Sequence, residues 1–149
     1  MASVAMKGGS GDRTAPPAPV PEASAEVRAL FGDLAGGGKV EDWTVVRVHG
    51  VYYGAIPVVL ATASGTKFQV DVMRRDPNGP EGVGNTPSLS LFVSNKGDGA
   101  KQTTEDHGLG AIALAEALAA REQTGAPIPP VVTLAQRHEK FPDGVYSVL

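Results

Sequence analysis

Cysteine is absent from this 149-residue chain, and with it go disulfides, thiolate nucleophiles and thiolate metal sites. No apolar run reaches the roughly 18 residues that a membrane-spanning helix needs. The opening residues, MASVAMKGGSGDR, hold no apolar run of signal-peptide length either. An excess of one charge is also missing: Lys and Arg total 13 against 16 Asp and Glu, for a net charge of -3. Neither sign collects in one half, so the chain carries no electrostatic footprint for nucleic acid or an anionic membrane. These absences predict a soluble cytoplasmic protein with no nucleic-acid and no membrane partner.

Catalytic and cofactor motifs are missing too. The three His never fall at HxxxH, HExxH or HxH spacing, which removes the usual metal-ligand pairs. No GxSxG elbow presents a serine. Gly79, Gly82 and Gly84 lack a following Gly-Lys-Ser/Thr and lead into a strand, so no helix N-terminus waits to capture a phosphate. Asp98, in a Gly-Asp-Gly turn, lacks the twelve-residue calcium loop with its terminal bidentate Glu. No cofactor is called for, and a non-enzymatic role is the expectation.

What the chain does have is a dense β-forming stretch from Trp43 to Arg75. Trp43–Val48 reads as one strand, with His49 and Gly50 at a turn. Ile56, Val58 and Leu60 lie on one face of a second strand whose other face carries Val59 and Ala61. Pro57 cannot donate to a ladder, which predicts a bulge, a break or a sheet edge there. Ala63, Ser64 and Gly65 separate this strand from the next and form a short hairpin loop, the Gly supplying a positive φ. In that next strand Phe68, Val70 and Val72 alternate with Lys67, Gln69, Asp71 and Met73, the pattern of a strand with one face in water. Leu89–Ser94 is a further strand, with Leu89, Leu91 and Val93 on one face.

Two long helices flank the strands. Ser24 is the N-cap of a helix over about 24 to 35, in which Val27, Leu30, Phe31 and Leu34 share a face before Gly36, Gly37 and Gly38 stop it. The second helix, over about 104 to 122, is capped by Thr103 or Thr104 and has Glu105 and Asp106 where the helix dipole favours acids. At 100° per residue it places Leu109 and Ile112 on one side, and Leu114 and Leu118 on nearly the opposite side, with Glu116 the only charge in its middle. A helix apolar on both sides is normally buried on both. A sheet shelters one side, so the other must meet the first helix or a second protein chain. After an extended Gly125–Val132, Thr133 and Gln136 stand at capping-box spacing for a short helix, in which Leu134, His138 and Phe141 share a face. The last residues, Val145–Leu149, are apolar enough to pair as a strand or to bury in a partner.

A chain of this length buries about two thirds of its unfolded surface, and one domain is the default. We therefore expect a disordered Pro- and Ala-rich tail over 1 to 22, then a single α+β domain over 23 to 149. Its two layers are an antiparallel sheet of four or five strands, from about 43 to 95, and the two main helices that cover it. The expected function is that of an accessory or assembly subunit binding a protein partner or a second copy through Leu109, Ile112, Leu114 and Leu118, with help from the terminal segments. The alternative is a small-molecule or metal-binding protein, an enzyme among the options, with its site between the 76–87 and 95–107 loops, Arg74, Arg75, Asp98 and His107 as ligand-binding residues and Asp106 and His107 as metal ligands.

Overall fold

The computed structural model describes residues 19–94 and 105–149. Among these residues an antiparallel α+β fold emerges, with six strands where four or five are expected, the two main helices, and the short third helix expected after Thr133. The strands are β1 (Lys39–Val40), β2 (Trp43–Val48), β3 (Ile56–Ala61), β4 (Lys67–Arg74), β5 (Gly84–Asn85) and β6 (Leu89–Val93), in the spatial order β1-β2-β3-β4-β6-β5. The first four form a meander. The chain then runs past β6 to place β5 at the far edge, so the Gly-rich stretch between β4 and β6 contributes a strand of its own.

Turn chemistry sets the registers. Thr62, Ala63, Ser64 and Gly65 close the β3–β4 hairpin, Gly65 sits at φ +93°, and the Thr62 amide donates to the Thr66 carbonyl at 2.9 Å. At the other end of β3, Tyr53 (φ 50°) and Gly54 (φ 80°) form a two-residue turn closed by reciprocal hydrogen bonds between Tyr52 and Ala55. Positive φ at both central positions is the hairpin turn whose twist matches that of its strands. The turn expected at His49 and Gly50 thus lies later, at Tyr53 and Gly54. His49 and Gly50 are extended and pair with the incoming chain: the Gly50 amide donates to the Pro21 carbonyl at 2.9 Å and Glu22 bridges His49.

Pro57 produces neither an edge nor a break, because β3 is paired on both sides. Its carbonyl accepts from the His49 amide at 3.1 Å. A strand residue points its N–H and C=O toward the same neighbour, so the donor that proline lacks faces the place where β2 leaves the ladder. The irregularity sits on the partner strand instead, between Val45 and Arg47. That bulge breaks the inside-outside alternation of β2 and turns Val46 and Arg47 both to solvent.

One face of the sheet carries the main core. Val45, Val58, Leu60, Val70, Val72, Leu89 and Leu91 pack there against Val27, Leu30 and Phe31 of α1 (Ala25–Phe31) and against Ala111, Leu114, Ala115 and Leu118 of α2 (Glu105–Gln123). The Ser24 hydroxyl caps α1 by accepting from the Val27 amide at 3.2 Å, and the helix tightens into a 3-10 turn over Gly32–Gly36. Arg121, in the last turn of α2, ties the two helices by donating to the carbonyls of Leu30 and Ala29 at 3.0 and 2.8 Å.

The opposite face is not the wet one that the β4 alternation predicts: Gln69, Asp71 and Met73 are all buried. Val132 carries the chain around the sheet end, its amide donating to the Gly54 carbonyl at 2.8 Å and its own carbonyl accepting from Arg74 at 2.9 Å. The third helix, α3 (Leu134–Lys140), and the C-terminal segment then cover this face. The capping box expected at its start is present, with Thr133 and Gln136 bonding reciprocally. His138, expected to pack, is exposed; its neighbour Arg137 is the residue that turns inward.

Candidate functional site

Two places on the molecule hold chemistry that packing alone does not explain. The first is on α2. Its sheet-facing side is made of small residues, and the fit is close. A Cβ on Gly110 would lie 2.9 Å from the tip of the Phe68 ring and 3.0 Å from the Trp43 indole, and one on Gly84 would lie 2.9 Å from the Ala111 carbonyl. Helix and sheet edge approach within backbone distance because no side chain stands between them. Leu114 and Leu118 are fully buried on this side. On the other side Leu109 is 48 % exposed and Ile112 37 %. Val83, just before β5, is 50 % exposed and lies alongside the first turns of α2, within 3.4 Å of where a Gly108 side chain would begin. Leu109, Ile112 and Val83 thus form an open apolar surface across the helix and the edge of the sheet.

The second place is under α3. Arg137 is 2 % exposed and Asp71 5 %, and their Nη1 and Oδ2 atoms are 3.1 Å apart. The guanidinium also donates through Nε to the Tyr53 carbonyl at 2.9 Å and through Nη2 to the Tyr52 carbonyl at 3.3 Å, and its carbon lies 3.7 Å from the centre of the Tyr146 ring. One side chain therefore binds β4, the strained Tyr53–Gly54 turn and the C-terminal segment at once. Burial pushes the Asp71 carboxyl above the usual carboxylate range, and the opposing pull of Arg137 and of the Gln69 amide offsets this only in part. Sequence reasoning missed Arg137 entirely.

Compared with family models, with curated proteins and with solved structures, the chain matches none. The residues of this chain alone carry the functional reading.

The residues singled out for a ligand between the Gly-rich loops fall as follows. Arg74 donates through Nε to the Val131 carbonyl at 3.3 Å. Arg75 donates to the Thr86 carbonyl at 3.0 Å and pairs with Glu81 at 2.7 Å. Both arginines thus serve to hold connecting segments. His107 stacks on Phe68, with ring centroids 4.2 Å apart and planes 6° from parallel, while Asp106 is exposed in the first turn of α2. Asp98 and the capping threonines Thr103 and Thr104 lie outside the described residues, as does most of the tail. Among the described residues, no group of three or more His, Asp or Glu side chains is placed to hold a metal ion.

Proposed function

We propose that the chain is an accessory or assembly subunit that binds another protein chain through the outer side of α2. The observation that carries this is the pairing of opposite fates on one helix: Leu114 and Leu118 are fully buried, while Leu109 and Ile112, across the helix, are 48 % and 37 % exposed with Val83 beside them. Large exposed apolar patches mark interaction sites, and these three side chains stand on neighbouring elements. Glu116 borders it on the same side of the helix, giving the polar rim that protein interfaces have. Among the described residues no observation favours the loop site, since Arg74 Nε and both terminal nitrogens of Arg75 donate within the chain. The described helices also include none long and apolar enough to cross a membrane.

The test is purification of the full chain at native expression, followed by light scattering and mass spectrometry of what travels with it. A mass above that of one 15.3 kDa chain, reverting to it in the Leu109→Ser/Ile112→Ser variant, supports the proposal. A monodisperse monomer with no companion chain overturns it.

A further inference from the structure

Residues Val145–Leu149 lie over the outer face of β4, and their aliphatic ends hold them little: Val145 is 43 % exposed and Leu149 63 %. They are gripped by a side-chain amide. Gln69 Nε2 donates to the Tyr146 carbonyl at 2.9 Å, and Gln69 Oε1 accepts from the Val148 amide at 2.8 Å. In an extended chain the C=O of one residue and the N–H of the second residue after it point the same way, so a primary amide can stand in for the edge of a neighbouring strand. Asp71 holds that amide in place, accepting from Nε2 at 2.8 Å. On the residue whose carbonyl is gripped, the geometry also selects the side chain. The Tyr146 ring covers the Arg137 guanidinium at 3.7 Å and meets Tyr53 edge-on at a centroid distance of 5.5 Å.

We propose that Gln69, Arg137 and Tyr53 form a peptide-binding slot, closed in this chain by its own Val145–Leu149 acting as a latch. The slot reads an extended segment in which an aromatic residue supplies its ring and carbonyl and the second residue after it supplies its N–H. The recognition mode is that of strand addition, with one glutamine replacing the receiving edge. The grip amounts to the two Gln69 hydrogen bonds, a third from the Tyr146 hydroxyl to the Phe141 carbonyl, the cation–π contact and the Tyr53 ring edge, few enough that the latch opens locally while the sheet stays folded. The guest is the same Val145–Leu149 segment of a second copy of this protein, since that is the segment whose groups fit the slot. It competes against a tethered rival whose effective concentration is in the millimolar range for a short linker. This site is separate from the α2 surface and stands or falls without it.

The experiment uses the full chain and a fluorescein-labelled peptide of sequence FPDGVYSVL. Binding to the Tyr146→Ala chain, whose own latch has lost its ring, is expected to be at least ~10-fold tighter than to wild type, as removal of a tethered competitor requires. Adding Gln69→Leu is expected to abolish it, and an alanine in place of the peptide's tyrosine to weaken it at least as much. Equal binding to wild type and Tyr146→Ala, or binding indifferent to Gln69→Leu, overturns the proposal. A second reading needs no variant. In hydrogen exchange of the wild-type chain, the Val148 amide is expected to exchange on the order of 100-fold faster than the β4 amides, and faster again with millimolar unlabelled peptide. Val148 protection equal to that of β4, or exchange unmoved by the peptide, overturns it as well.

Discussion

Arg137 is the residue on which the outer layer depends, because its partners lie on three separate parts of the chain: Asp71, the carbonyls of Tyr52 and Tyr53, and the Tyr146 ring. Breaking a buried ion pair from one side leaves a charge with neither water nor partner. We expect Arg137→Ala or Asp71→Ala to cost about 3–5 kcal/mol in urea unfolding, and Arg137→Lys to recover only part of it, since an ammonium cannot fork between a carboxylate and two carbonyls. Replacing both residues with well-packed apolar ones is expected to be far milder than either single change. His49 sets a pH dependence of definite sign. Burial, and then the nearby Arg47 charge, lower its pKa from 6.5 in spite of Glu22. The unfolded chain therefore binds more protons at this site than the folded one, and the stability it contributes is complete above the unfolded value and is lost as pH falls through 6.5 toward the folded value. The difference between wild type and His49→Gln, followed by urea midpoint from pH 8 to 5, is expected to show that loss. Parallel curves would refute it.

At the scale of the element, what could be read in the sequence was what local chemistry determines. The Ser24 cap, the Gly65 loop and the Thr133–Gln136 capping box each need only residues within one turn of each other, and each forms as its pattern implies. The wet face of β4 did not form, because alternation records polarity and not what lies above it. Gln69 and Asp71 are polar for the sake of partners that arrive 66 to 79 residues later. The edge strand β5 was hidden for a related reason: two residues amid Gly and Pro have no period to detect. On α2 the two sides make opposite predictions. Leu114→Ser or Leu118→Ser places a hydroxyl among fully buried neighbours and is expected to cost about 2–5 kcal/mol. Leu109→Ser and Ile112→Ser are expected to stay within about 0.5 kcal/mol, as surface changes do. Circular dichroism through a thermal ramp distinguishes them, and a Leu109→Ser chain that unfolds would show that side to be core.

Across the whole molecule the sheet is covered twice, and by different physics. The α1–α2 layer is apolar and closes through small residues, with Gly84 and Gly110 admitting the helix to backbone distance. The α3 layer is fastened through the polar side chains of Arg137, Asp71 and Gln69, beside the rings of Tyr52, Tyr53, Phe141 and Tyr146. Apolar burial gives the first layer its stability without directional demands, whereas the second depends on groups that strongly favour water once partly opened. The two layers should therefore respond differently to one perturbation at the first. A Gly84→Val change brings new carbons against the Ala111 carbonyl and the Ala115 methyl, which forces α2 away from β5 and β6. The expected result is a loss of about 1–3 kcal/mol from overpacking, with faster hydrogen exchange in β6 and α2 and unchanged exchange at the Arg137 amide relative to the weakened global limit. If α3 instead opened together with α2 at the same free energy, both faces would belong to one cooperative unit. The latch could then still fray, but the outer layer as a whole would have no independence from the core beneath it.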